Sequence, residues 1–293
     1  MKLFYCLSPP CVRNRFDRVS LLLGLIFSSA IHFTNGQGLE TAAGARAAAI
    51  GGAAVTMYDD YAWGNNPAGA ATIVSASVNS SFKNRFSLKS MNSMMFQASV
   101  PFRRIVAGIT LQKYGDQYYS EQKAGLGVAS KIANVSLGTQ VHLLQIGMDE
   151  VPTQWSWIGE FGGIAQLGKY VTWGAHIWNF NLATVNTRQK IELPVVLRTG
   201  ISYKPIAKVM ANLQLTKNIS HKPSIAAGVE YRMLELLALR TGVTTQPFSA
   251  NFGAGVQHRK LKVDYALSAH EWLGLSHQFS VAIVFSKREK ANP

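Results

Sequence analysis

Only two cysteines occur in the 293 residues, Cys6 and Cys11, and both lie ahead of the first apolar run. Once that leading segment is removed, no thiol remains for a disulfide or for a metal site built on cysteine. Charge is scarce as well, at 15% of residues, where a typical soluble domain has roughly a quarter. A soluble protein so poor in charge would struggle to cover its surface. Long apolar runs are also missing. After residue 36 no stretch of about 18 residues lacks polar interruption, which excludes helical membrane spans. Yet 47% of the chain is hydrophobic. Apolar enough for lipid but never continuously apolar is the composition of a transmembrane barrel, whose lipid and lumen faces alternate.

The first 36 residues read as an export signal. Lys2, Arg13, Arg15 and Arg18 make a basic start, and Val19 to Phe33 form a short apolar run before Thr34-Asn35-Gly36. A membrane anchor is the alternative, but about 15 apolar residues are short for a span. Cleavage would leave Gln37 at the new N-terminus. Removing four basic residues and one acidic residue leaves 25 basic against 14 acidic. These charges do not form the stripe that a nucleic-acid surface needs. Many sit in short connections, such as Arg103-Arg104 and Arg259-Lys260, where solvent and anionic headgroups of outer-membrane lipid explain them.

From about residue 73 to the end, the pattern has a period of two. Leu275, His277, Phe279, Val281, Ile283 and Phe285 suit lipid, and Ser276, Gln278, Ser280 and Ala282 between them suit a lumen. Trp155, Trp157 and Phe161 oppose Ser156 and Glu160 in the same way, and Leu213 and Leu215 oppose Asn212, Gln214 and Thr216. About fourteen such segments follow one another, near 73–83, 92–100, 105–114, 121–131, 133–146, 154–167, 170–181, 191–203, 207–217, 224–233, 236–244, 248–257, 260–269 and 275–287. Most have about ten residues, the length a tilted strand needs to cross a bilayer. Tight connections alternate with longer polar ones, and aromatics collect near segment ends, as interfacial girdles require. The expected fold is therefore all-β: a transmembrane antiparallel up-and-down barrel of about 14 strands over residues 73–293. A soluble sandwich also alternates, but it buries one face, and here the outward face is apolar on nearly every strand.

Residues 37–72 break the alternation. Ala42 to Ala54 is mostly alanine and glycine, and Tyr58-Asp59-Asp60-Tyr61 leads on to Asn66-Pro67-Ala68-Gly69. A fourteen-stranded barrel is too wide for wall side chains to fill, so this segment is the candidate occupant of its bore. Arg46, Gly51-Gly52-Ala53, Asp59-Asp60 and Asn66-Pro67-Ala68 together resemble the N-terminal hatch signature of the FadL-type outer-membrane proteins. That superfamily includes channels for fatty acids and aromatic hydrocarbons, and the PorV/PorQ proteins of type IX secretion. The resemblance implies a fourteen-stranded barrel with an N-terminal plug, in which Asn66, Pro67 and Ala68 form a turn inside the bore. It implies either passage of a small hydrophobic ligand or an accessory role beside secretion-system proteins. A surface Asn-Pro turn is the alternative reading of Asn66-Pro67.

Alternation also sends charges into the lumen: Glu160, Arg198, Glu230, Arg232, Arg240, Lys262 and Asp264. Such charges must be paired or wet. One expectation is a network that pins the plug by joining Asp59 and Asp60 to Arg198 or Arg240; the other is ordinary solvated lining. No hydrolase motif accompanies the lumen-side His142, no glycine-rich loop fits a phosphate, and no cluster has metal-ligand spacing. The expectation is a protein without enzymatic activity, cofactor or metal.

Overall fold

A computed structural model describes residues 42–149, 151–186, 190–219 and 221–285. The expected export signal, and the cleavage point at Gln37, lie outside the described residues. Strands follow where small or polar residues alternate with apolar ones. In chain order they are β1 (Ser77–Asn84), β2 (Asn92–Phe102), β3 (Ile105–Gly115), β4 (Tyr119–Ile132), β5 (Val135–Met148), β6 (Val151–Gln166), β7 (Val171–Trp178), β8 (Thr184–Asn186), β9 (Lys190–Glu192), β10 (Val196–Ile206), β11 (Val209–Asn218), β12 (Ser224–Arg232), β13 (Leu237–Thr245), β14 (Phe248–His258), β15 (Leu261–His270) and β16 (Gly274–Val284).

All but β8 and β9 join one closed antiparallel barrel in up-and-down order. Excluding that small hairpin, the wall has fourteen strands, each within a few residues of a segment read from the alternation. Closure is made by β1 against β16, in register from Ser77 opposite Val284 to Asn84 opposite His277. The two faces separate as the period of two requires. Leu126, Trp157, Leu213, Phe252 and Ile283 are exposed on the outside, whereas Gln97, Gln140, Asn212 and Ser280 are buried inside.

Two departures have local causes. The first strand begins at Ser77, not near residue 73, because Pro67–Thr72 forms a 3-10 helix. The link from β7 to β10 is not a plain strand extension. It folds back on the wall and contains the β8–β9 hairpin. Strand β7 stops at Trp178, opposite Glu160, so β6 rises above its neighbour. There the Asn181 side chain takes the place of a missing strand. Its amide nitrogen donates to Trp157 O (2.8 Å), and its oxygen accepts from the Gly159 N–H (2.8 Å).

Residues 42–72 pack against inward-facing wall residues. Helix α1 (Ala45–Ala49) lies against β13 to β16, and the 3-10 helix lies against β3 to β6. Helix α2 (Ala62–Asn65) connects the two regions and meets β3. Ala45, Ala47, Ala49 and Ile50 are fully buried, so alanine's small side chain lets the helix backbone approach the wall.

Candidate functional site

The end of α1 is set by its glycines. Gly51 and Gly52 have φ of 72° and 82°, and their N–H groups donate to Ala48 O (3.0 Å) and Ala47 O (2.9 Å). This left-handed cap needs residues without a Cβ. The hydroxyl of Thr244 on β13 then donates to Gly51 O (2.8 Å) and ties the cap to the wall.

At Asn66-Pro67-Ala68 the chain turns: the Gly69 N–H donates to Asn66 O (2.9 Å), and this turn opens the 3-10 helix. Asn66 is extended, with φ of −154°, and caps the 3-10 helix by accepting from Ala68 N–H (3.1 Å). Pro67 occupies the first helical position, where its missing N–H costs nothing. The Asn66 amide nitrogen donates to Val55 O at 2.7 Å.

The wall carries a matching feature. Four cross-strand glycine pairs line its inner face: Gly108 with Gly127, Gly138 with Gly162, Gly174 with Gly200, and Gly228 with Gly242. A Cβ on the first pair would overlap the Trp63 indole, and on the second it would meet Asn66, Pro67 and Ala68. On the third it would strike Val55, and on the fourth the Ile50 backbone. Each pair is a socket for one piece of the segment. These glycines were not singled out from the sequence, although glycine recurring at lumen positions of successive strands was the available signal.

The sockets differ in what would give way. Gly108→Val should cost about 1–3 kcal/mol through overpacking. Because the obstructed group there is a side chain, pairing this change with Trp63→Ala should cost less than the sum of the two. Gly242→Val meets backbone, so adding Ile50→Ala should bring no relief. Urea midpoints of the two cycles check this. Equal additivity at both sites would dismiss the sockets.

The charged residues fall into two groups. In the first, Arg46 donates to both oxygens of Glu230, at 2.7 and 2.9 Å. Arg240 donates to Glu230 (2.7 Å) and to Asp264 (2.6 Å). Arg46 also lies 3.6 Å from Asp59, and Lys262 donates to Asp60 at 2.5 Å. Arg232 borders the same small cavity of about 80 Å³, with room for a few waters. The expected partners of Asp59 and Asp60, Arg198 and Arg240, are therefore replaced by Arg46 and Lys262. The segment supplies its own arginine, and β15 places Lys262 beside Asp60. Burial pushes the Asp59 carboxyl above its ordinary range, with Arg46 opposing that and Asp60 adding to it. Burial pulls the Arg46 guanidinium down, but the carboxylates of Glu230, Asp59 and Asp264 together outweigh it and hold it above its ordinary value.

The second group is on the wall alone. Glu160 has one oxygen 2.6 Å from His142 Nε2 and the other 3.2 Å from His176 Nε2. Lys123 lies 3.9 Å from Glu160, and Arg198 lies 3.4 Å from His176 Nδ1. Among the described residues no cluster of three such side chains is spaced for a metal ion.

Near this group the lumen turns apolar, which the alternation did not suggest. Tyr114, Leu144, Ile146, Ile158, Trp178 and Val196 face inward and pack with Ala183, Val185 and Leu193 from the infolded link. The alternation places strands at 170–181 and 191–203, so Ala183 and Val185 fall in the connection between them and Leu193 at the start of the next strand. Its apolar residues point into the bore because β7 ends early.

No family model and no curated protein matches the sequence. Solved structures do. The Ralstonia pickettii toluene transporter TbuX aligns at 12% identity over 83% of this chain and 98% of its own, with a TM-score of 0.62. The Pseudomonas putida toluene transporter TodX aligns at 12% over 82% and 96%, with a TM-score of 0.60. A Pseudomonas aeruginosa FadL homologue aligns at 12% over 83% and 98%, also at 0.60. With its fourteen closed strands, the protein has the fold of the FadL-type outer-membrane barrels.

Proposed function

We propose that the protein is an outer-membrane channel for passive passage of small hydrophobic molecules. The observation that carries this reading is the apolar cluster inside the lumen, from Tyr114 to Val196, beside the charged group around Glu160. An apolar solute gains there what it gains on leaving water. That two structural neighbours are toluene transporters supports the same substrate class. Residues 37–72 act as the plug in this reading, and must yield for a molecule to pass. Pro67→Gly, and separately a chain lacking residues 42–56, should raise bilayer conductance and uptake of hydrophobic probes. Barrels that assemble in both forms and stay closed would remove the channel.

A second reading is an accessory barrel of the PorV/PorQ kind, serving type IX secretion or surface attachment. The seating of the segment in glycine sockets favours it, since a fixed occupant suits a barrel that transports nothing. Either role places the chain in the outer membrane after removal of residues 1–36. Fractionation and N-terminal sequencing should find it there, beginning at Gln37. Recovery from the soluble periplasm would defeat both.

A further inference from the structure

One wall contact differs from all the others in its demand on the chain. Strand β1 pairs with β16, about 200 residues away, whereas the other wall strands pair with neighbours in sequence. Loop closure makes such a pairing the most costly in entropy, and nothing covalent nearby holds its register. A slip of one residue would turn lumen positions toward lipid.

The segment preceding β1 bonds to both sides of this seam. The Tyr61 hydroxyl lies 2.8 Å from Ser80 O on β1 and 2.8 Å from Val281 O on β16, and these two residues are cross-strand partners. Asn79 of β1 donates to Asp60 O at 2.6 Å. On the β16 side, Ala45 N–H donates to the Ser280 hydroxyl (3.0 Å), and Gln278 donates to Ala42 O (3.2 Å). Gln278 also reaches across the seam to the Ser81 hydroxyl at 3.1 Å. Lys262 on β15 anchors the Asp60 carboxylate beside it. Asn66 approaches carbonyls of β6 and β7 in a similar way, but at 3.4 and 3.3 Å, and a tight turn already joins those strands.

We infer that residues 42–61 clamp the closing seam: they are the template on which the first and last strands meet in register. This role needs no transport. A plug that only filled space would contact whichever strands lay nearest. Here the bonds go to side chains and carbonyls that only one register brings together.

Amide hydrogen exchange on the full mature chain in detergent tests the clamp. Tyr61→Phe removes the hydroxyl but keeps the ring, and adding Asn79→Ala removes the second bond to β1. The pair should speed exchange in β1 and β16 on the order of tenfold, leaving β4 to β6 unchanged. Gln214→Ala removes a segment bond elsewhere, from Val55 N–H at 2.9 Å, and should affect only the strands around β11. If the double variant does not assemble, a disulfide between Phe82→Cys and Phe279→Cys, partners across the seam, should restore assembly. Unchanged protection at β1 and β16, a rise spread over every strand, or failure of the disulfide to rescue would overturn the inference.

Discussion

Replacing Glu230 with alanine should cost the barrel about 3–5 kcal/mol, since removing one partner leaves buried charge uncompensated. The carboxylate serves two guanidiniums, and the side chains of Glu230, Arg240 and Arg46 are only 7%, 6% and 21% exposed. An exposed ion pair would be worth less than about 1 kcal/mol; burial puts this one in the other class. Arg240 would keep Asp264 at 2.6 Å, but Arg46 would retain only Asp59 at 3.6 Å. Arg46→Ala should be milder, because Glu230 keeps Arg240. Urea unfolding in lipid vesicles measures both. If Glu230→Ala unfolds at the wild-type midpoint, the ion cluster does not hold the segment to the wall.

Arginine at Leu213, Val263 or Ile283 should destabilise the barrel by about 2–4 kcal/mol each where the side chain lies at mid-membrane. These positions point outward on β11, β15 and β16, and Leu213 and Ile283 are 55% and 41% exposed, surface that a bilayer covers. Alternation alone would make Gln214 and Ser280 the tolerant counterparts. The structure makes them poor ones: Gln214 accepts from Val55 N–H and Ser280 from Ala45 N–H. Arginine there would displace the segment. Ser268, inward and half-buried on β15, is the better comparison and should lose far less. Equal losses at Ser268 and Leu213 would place the register one residue out.

Strand number and faces were legible in the sequence because both are local. A period of two survives within a ten-residue strand, and lipid on one side with lumen on the other maintains it along the wall strands. The inward direction of Glu230, Arg240, Lys262 and Asp264 followed from the same rule. What alternation does not encode is rotation and depth of the segment within the wall. That displacement decided that Asp59 and Asp60 lie beside Arg46 and Lys262, and that the turn at Asn66 continues into a 3-10 helix packed on β3 to β6. It also decided which glycines became sockets. The infolded link after Trp178 was hidden for a related reason. Its apolar residues continue a strand-like pattern, and only the early end of β7, set by pairing with β6 and β10, turns them into the bore. Local patterning thus determined the barrel. Contacts between residues far apart in the chain decided what fills it, because their energies depend on a geometry that exists only once the wall has closed.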